Sequence, residues 1–237
     1  MTTERVAFLL AVLVAGCLVA LVHRHWHSIA TRLGGARRMI IPALTLVSLG
    51  AFAKIASEVH EREMSELDRR VSLAVHRFDA PVLDIVMRAL TALGSFPAIV
   101  AVLLLVSVWS VRRHDKAAAI LIVTVAGVAE VLNLLLKEIF QRARPSLFTE
   151  IATLHSYSFP SGHAMSSTAV YGGVALLAAK AFPAHRRLFG VVATVLVLLI
   201  GLSRIYLGVH WFTDVVAGFA AGLFVLLVGV SLRDQAR

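Results

Sequence analysis

Long apolar runs constrain the fold of this chain more than any other feature of its sequence. Polar or basic segments separate seven such runs, which cover approximately residues 5–23, 39–55, 97–111, 117–136, 162–181, 188–202 and 211–232. Runs of this kind are typical of helices that cross a bilayer, where backbone amides must be bonded within the protein. With 59% hydrophobic residues in 237, the chain is too apolar for a soluble domain. The predicted fold is therefore all-α, a polytopic transmembrane helical bundle.

We expect two parts, an extra N-terminal transmembrane helix with a basic loop (residues 1–38) and a membrane-embedded domain (residues 39–237). The first part holds the single cysteine, Cys17, so no intrachain disulfide is possible. Residues 14–17 resemble a lipoprotein cleavage site, but apolar residues continue beyond Cys17. This continuation favours a retained helix.

Basic residues predict which ends of the spans face the cytoplasm. Segments 24–38, 112–116, 180–187 and the tail after Leu232 carry twelve of the 23 Lys and Arg residues. Because cytoplasmic loops are enriched in Lys and Arg, we expect these ends inside. The same loops explain the net charge of +9, so no nucleic-acid partner is expected, and no obligate protein partner is evident.

Residues 58–94 differ from the runs around them. After a charged start, apolar residues recur at three- and four-residue steps, at Met64, Leu67, Val71, Ala74 and Phe78. This period predicts an amphipathic helix along the membrane interface, which Pro81 ends before a second amphipathic piece. A solvated connector and a gate for a lipid tail are both compatible with the pattern.

Three polar clusters lie at the opposite ends of the spans from the basic loops. In the first, Lys137 is followed seven residues later by Arg144 and Pro145. Two helical turns separate the cations, which are expected to share one face of a helix that Pro145 ends. Glu130 and Asn133 fall on the face of Lys137, which predicts that this face points into the bundle, with Glu130 paired to a basic residue. A basic helix end that reaches to lipid headgroups would have the same pattern.

The second cluster, at residues 159–163, directly precedes the fifth span and reads Phe-Pro-Ser-Gly-His. Pro160 favours a helix start, Ser161 offers a hydroxyl, and Gly162 lets the backbone approach a ligand closely. Free N–H groups at a helix N-terminus bind phosphate, and His163 would lie beside them, able to donate a proton. A simple turn with an exposed histidine is the alternative.

The third cluster contains Ser203, Arg204, His210 and Asp214 between the last two spans. Charged residues so close to a bilayer core usually mark function. His210 and Asp214 are four residues apart, so the carboxylate can hold one imidazole nitrogen as N–H and leave the other as nucleophile or base. Arg204 adds a flat cationic fork that suits phosphate oxygens. A helix-end ion pair with a satisfied histidine is the structural alternative.

Together the clusters resemble the motifs of the type 2 phosphatidic acid phosphatase superfamily. All three match in order, separated by 14 and 39 residues, and the resemblance covers about residues 39–232. It implies a six-helix phosphatase core, to which segment 5–23 adds one extra N-terminal helix.

The resemblance also implies a role for each residue. His210 would be the nucleophile that forms a phosphohistidine, Asp214 would fix its tautomer, and His163 would protonate the leaving oxygen. The remaining residues of the clusters would hold the phosphate: Lys137, Arg144, Ser161, Gly162 and Arg204. No cofactor is implied, and three converging cations argue for an anion site rather than a metal site.

The expected substrate is a phosphorylated membrane lipid, with undecaprenyl diphosphate as the first candidate, hydrolysed at the outer face of a bacterial cytoplasmic membrane. Phosphatidylglycerol phosphate, phosphatidic acid and lipid A 1-phosphate remain open, because the motifs report phosphate chemistry and not the lipid tail. A phosphotransferase with a lipid or sugar acceptor would use the same phosphohistidine. A non-enzymatic phospholipid binder or transporter is disfavoured, because binding an anion needs no nucleophile.

Overall fold

The computed structural model describes residues 37–61, 65–146 and 156–235, and every regular element in these ranges is helical. A 3₁₀ turn at Pro183–His185 accompanies eight α-helices: α1 Arg37–His60, α2 Ser65–His76, α3 Pro81–Leu93, α4 Phe96–Arg112, α5 Lys116–Phe140, α6 Gly162–Ala181, α7 Arg186–Tyr206 and α8 Phe212–Gln235. The all-α prediction is confirmed. The predicted span at 5–23 and Cys17 lie outside the described residues.

Four of these helices are long and apolar enough to cross a membrane: α1, α5, α7 and α8. Helices α3 and α4 make a fifth candidate if they are counted as one span, bent by 49° between them. Large apolar side chains are exposed along the spans, for example Leu46 in α1, Leu105 in α4 and Val191 in α7. A bilayer would cover such side chains, so the described chain is a membrane-spanning bundle, as predicted.

Helix α6 lies at the centre of this bundle and packs against α4, α5, α7 and α8. Its bounds agree with the predicted fifth span, but it is not among the helices apolar enough to cross a membrane alone. Its first half carries Ser166 and Ser167, which are buried. A helix enclosed by protein needs small and polar contacts with its neighbours more than it needs a lipid-facing surface.

Small residues let α8 approach α6 closely. A Cβ atom at Gly218 would lie 2.7 Å from the carbonyl oxygen of Ser161, and one at Gly222 would lie 2.4 Å from that of Met165. The N–H of Ser161 also donates to the carbonyl oxygen of Asp214 at 3.0 Å. These contacts hold the first turns of α6 and α8, and hence two of the polar clusters, side by side.

Helices α2 and α3 confirm the two amphipathic pieces expected in residues 58–94. Both pack against α7, and α2 also contacts α8. The face of α2 that meets the bundle carries Asp68 and Ser72, both buried, whereas Leu67 and Phe78 are exposed. The segment is therefore packed against the bundle and is more than a solvated connector.

The basic segments meet at the other end of the bundle. Asp115, the N-cap of α5, lies 2.8 Å from Nη2 of Arg233 and 3.6 Å from Nζ of Lys180. Three of the four basic segments are thereby joined, as their predicted position on one face requires. The fourth, residues 24–38, lies almost wholly outside the described ranges.

We expect Gly222→Ala to lower the free energy of unfolding by about 1–3 kcal/mol, because the added methyl group would overlap the backbone of α6. Gly127→Ala is the matched control, since nothing lies within 4 Å of a Cβ there and alanine is the better helix former. Thermal unfolding in detergent measures both. Equal midpoints for the two variants would contradict the close approach of α6 and α8.

Candidate active site

The predicted site residues gather at one end of the bundle because neighbouring helices run in opposite directions. Lys137 lies in the last turn of α5 and Arg204 in the last turn of α7, whereas His163 and Asp214 lie in the first turns of α6 and α8. The C-terminal ends of α5 and α7 therefore lie beside the N-terminal ends of α6 and α8. This is the arrangement expected from the alternation of polar clusters and basic loops.

The interpretation of the first motif as one helical face is wrong. Helix α5 ends early because Gln141 adopts a left-handed backbone conformation (φ 45°), a common helix terminator. Arg144 and Pro145 therefore lie in the irregular segment beyond the helix. The two cations of the motif converge by another route, since Lys137 Nζ and Arg144 Nη2 both donate to the carbonyl oxygen of Tyr157.

The inward-facing side of α5 is as predicted. Asn133 is buried and donates to the carbonyl oxygen of Pro160 at 3.2 Å. Glu130 accepts a hydrogen bond from Ser166 at 3.2 Å. The expected ion pair between Glu130 and a basic residue is absent among the described residues, so this carboxylate is bonded to a neutral hydroxyl.

His210 and Asp214 form the pair that their spacing predicts. Nδ1 of His210 lies 3.4 Å from Oδ2 of Asp214, and that oxygen also accepts the N–H of Trp211 at 2.9 Å. His210 is 2% exposed and Asp214 is fully buried. The carboxylate thus holds the Nδ1 side of the ring, and Nε2 lies on the other side, 3.3 Å from Nη1 of Arg144.

A tight turn between α7 and α8 positions His210. Gly208 has a φ of 64°, a conformation that favours glycine. The N–H groups of Val209 and His210 then both donate to the carbonyl oxygen of Arg204, at 3.1 and 3.3 Å. The carbonyl group of Arg204 thereby positions His210, the next residue of the same motif.

Burial lowers the pKa of His210 to about 4, although the hydrogen bond with Asp214 acts in the opposite direction. The imidazole is therefore neutral at pH 7, and acidification through about pH 4 would be needed to protonate it. Burial also lowers the pKa of the Arg144 guanidinium, which stays charged at neutral pH. A neutral imidazole beside a fixed cation suits nucleophilic attack on an anion.

Two motif residues keep buried polar atoms that have no hydrogen-bond partner in the part of the chain that the structure describes, Ser161 Oγ and Arg204 Nε. Arg204 donates through Nη1 to Thr91 Oγ1 in α3 at 2.5 Å. Buried polar groups are nearly always bonded in proteins. These two donors are therefore available to a ligand that carries acceptor oxygens.

His163 lies half-buried at the same end of the bundle as His210. Groups from all three motifs lie within electrostatic reach of its ring: Arg204, His210, Arg144 and Lys137. A Cβ atom at Gly94 would come within 3.1 Å of the ring, so the break between α3 and α4 is immediately beside it. The three motifs therefore meet around one point.

The sequence analysis missed a charged pair that holds Asp214. Nη1 of Arg142 lies 2.5 Å from Oδ1 of Asp214, and its Nη2 lies 2.5 Å from Oδ2 of Asp68. Asp68 is fully buried and accepts the N–H and the hydroxyl of Thr213 at 2.9 and 2.7 Å. A planar guanidinium between two carboxylates fixes the direction of both. Arg142 and Asp68 thus position Asp214.

The available signal for Asp68 was weak. Asp68, Ser72 and Val75 follow each other at helical steps and face the bundle, on a helix predicted to lie along the membrane interface. An acidic residue on the packed face of an amphipathic helix indicates a buried partner. No pattern in the sequence indicates which residue that partner is, or that Thr91 contacts Arg204.

The sequence model of the PAP2 superfamily matches residues 117–237, which include all three motifs. The chain is 32% identical over 180 residues to phosphatidylglycerophosphatase B of Bacillus subtilis, covering 75% of this chain and 88% of that protein. It is also 32% identical over 128 residues to an undecaprenyl-diphosphatase of Sulfolobus acidocaldarius, covering 52% of this chain and 58% of that protein.

Solved structures agree with these matches. The crystal structure of a transmembrane PAP2-type phosphatidylglycerolphosphate phosphatase from Bacillus subtilis superposes with a TM-score of 0.77 and 29% identity, covering 81% of this chain and 97% of that one. The crystal structure of Aquifex aeolicus LpxE superposes with a TM-score of 0.55 and 23% identity, covering 70% and 94%. The second likeness supports the fold alone.

We expect Asp68→Asn to lower kcat for hydrolysis of p-nitrophenyl phosphate by up to about 100-fold, because small misplacements of a catalytic group are costly. KM should change little, since the cations that would hold the phosphate are untouched. Asp79→Asn, an exposed position on the same side of the bundle, controls for the change of charge. An unaltered kcat with a lower unfolding temperature would show that Asp68 is only structural.

Proposed function

Because this chain belongs to the PAP2 superfamily and is a membrane lipid phosphatase, we propose that it hydrolyses a terminal lipid phosphate through a phosphohistidine on His210. One observation carries the proposal. His210 is buried and neutral, Asp214 holds its Nδ1, and its Nε2 lies 3.3 Å from Arg144. With Nδ1 held by Asp214, the lone pair lies on Nε2, directed toward the Arg144 cation that would bind the phosphate.

The reaction would proceed in two displacements. In the first, Nε2 of His210 attacks phosphorus, the N–P bond forms, and the P–O bond to the lipid breaks. His163 gives its proton to the departing oxygen. In the second, water attacks phosphorus, neutral His163 takes a proton from that water, and the N–P bond breaks to release inorganic phosphate and restore His210.

The proposed phosphate site consists of the polar groups that converge beside His210. The Lys137, Arg144 and Arg204 cations, the Ser161 hydroxyl and the Gly162 N–H would bind the nonbridging oxygens. The unsatisfied atoms of Ser161 and Arg204 support this assignment. The Asp214 carboxylate is already paired with Arg142 and His210. The charged groups that remain around the proposed phosphate site are cations, so the site suits an anion better than a metal ion.

We propose phosphatidylglycerol phosphate as the first substrate to test. The support is the extent of similarity to the Bacillus subtilis phosphatidylglycerophosphatase B, which this chain matches over 88% of its length. Undecaprenyl diphosphate, the first candidate from the sequence, is the second, supported by the undecaprenyl-diphosphatase relative. Both lipids carry a terminal phosphate that the same two displacements would remove.

We also propose that the protein lies in a bacterial cytoplasmic membrane with its active site at the outer face. The basic segments joined at Asp115 support this orientation, because they lie at the end of the bundle remote from His210. Lys- and Arg-rich ends face the cytoplasm. The proposed site would then act on lipids of the outer leaflet.

Replacing each of the two histidines should affect activity in a way that depends differently on the leaving group of the substrate. We expect His210→Ala to abolish phosphate release from lipid phosphates and from p-nitrophenyl phosphate alike. In the first displacement, measured as pre-steady-state release of the leaving group, His163→Ala should lose roughly 10²–10⁴-fold with a lipid phosphate, but far less with p-nitrophenyl phosphate, because p-nitrophenolate departs without a proton. A chelator should leave wild-type turnover unchanged.

His185→Ala, in the exposed turn at the other end of the bundle, is the matched control for these variants. It should retain wild-type turnover with both substrates. If His163→Ala lost the same factor in the first displacement with both substrates, His163 would not be the proton donor. If His210→Ala kept its turnover, the proposed nucleophile would be wrong.

Phosphate release from a panel of lipids tests the substrate assignment. We expect purified full-length protein to release phosphate from phosphatidylglycerol phosphate fastest, then from undecaprenyl diphosphate, with phosphatidic acid and lipid A 1-phosphate as comparisons. Product analysis with glycerol present distinguishes hydrolysis from phosphotransfer. Release that is fastest from undecaprenyl diphosphate would reverse the order proposed here, and a phosphorylated acceptor would indicate a transferase.

A further inference from the structure

A cavity of about 630 Å³ lies among α1, α5, α6 and α8, away from the three motifs. Its lining combines an apolar wall with a cationic rim, and the residues that matter here are Ile40, Leu121, Leu176, Lys180, Arg186 and Arg233. We propose that this cavity binds the phosphodiester headgroup of an anionic phospholipid from the leaflet opposite the active site. The proposal stands independently of the reaction proposed above.

The helices set the depth of the cavity. Helix α6 has His163 in its first turn and Lys180 in its last, and α8 has Asp214 in its first turn and Arg233 in its last. Seventeen and nineteen residues of helix correspond to about 25 and 28 Å. That separation is close to the thickness of a bilayer's hydrocarbon core, about 30 Å. If the active site lies at one interface, the cavity therefore lies at the other.

The rim of the cavity carries more positive than negative charge. Lys180, Arg186 and Arg233 line it, and the carboxylate beside them among the described side chains is Asp115, bonded to Arg233 at 2.8 and 3.0 Å and 3.6 Å from Lys180. The Arg233 side chain is only 11% exposed, and its Nε is buried with no hydrogen-bond partner among the residues the structure describes. A phosphate group offers several acceptor oxygens to such a rim.

The apolar wall identifies the source of that phosphate. Ile40 and Leu176 are about half exposed beside the cavity, where acyl chains of a bound lipid would cover them. Inorganic phosphate would leave this wall unused. Among the residues that the structure describes, those that line the cavity include no histidine or serine, so a lipid held there would be bound and not cleaved.

Retention of phosphatidylserine tests the proposal, because its phosphodiester offers no terminal phosphate to the active site. Full-length protein is placed in phosphatidylcholine discs with a minor share of phosphatidylserine, and native mass spectrometry counts the phosphatidylserine that stays bound. We expect Lys180→Gln with Arg186→Gln to weaken retention roughly 20-fold, since each cation near a membrane surface adds about fivefold to the affinity for anionic lipid.

The matched control is Arg112→Gln with Arg187→Gln, which removes the same charge from two exposed positions outside the cavity. It should retain phosphatidylserine as the wild type does. An equal loss in both double variants would show attraction to surface charge alone, and no loss in either would show that the cavity is not the site. Either result overturns the proposal.

Leu176→Trp distinguishes binding of a whole lipid from binding of a phosphate group alone. The larger side chain fills the space beside the apolar wall without changing the charge of the cavity. We expect it to reduce retention of phosphatidylserine while turnover of p-nitrophenyl phosphate shows that the protein is folded. Full retention by this variant would mean that no acyl chain lies along the wall, which overturns the assignment to a lipid.

Discussion

The site depends on the balance of charge around Asp214. A carboxylate buried this deeply is stable only if cations and hydrogen bonds compensate it, and Arg142 supplies that compensation at 2.5 Å. Arg142 is itself shared with Asp68, which comes from a different helix. Three separate segments of the chain must therefore pack together before the carboxylate can hold His210, so packing of α2 and assembly of the site are one event.

The same balance explains why the region beside His210 suits an anion. The carboxylates near it are occupied by Arg142 and by backbone donors, whereas Ser161 and Arg204 retain unsatisfied atoms. Positive charge is thus in surplus at the end of the bundle where the motifs meet. A dianionic phosphate would neutralise that surplus.

Local chemistry made much of this architecture predictable. Apolar runs predicted α1, α5, α7 and α8, which are long and apolar enough to cross a membrane, and the bounds of α6 agree with the predicted residues 162–181. The convergence of the motifs followed from the alternation of span directions. The geometry of Lys137 and Arg144 was predicted wrongly, because a left-handed Gln141 ends the helix. The contact of Asp68 with Thr213 joins residues 145 apart, and no periodicity within one segment reports such a contact.

The position of Asp68 on an amphipathic helix has a consequence for how relatives of this chain can diverge. Helices α2 and α3 present exposed apolar side chains such as Leu73 and Ile85, a surface that is free to vary with the surrounding lipids. The inner face of these two helices contacts the active site, because Asp68 pairs with Arg142 and Thr91 accepts a hydrogen bond from Arg204. A chimaera that exchanges this helical pair between homologues would preserve catalysis only where the inner face is inherited unchanged.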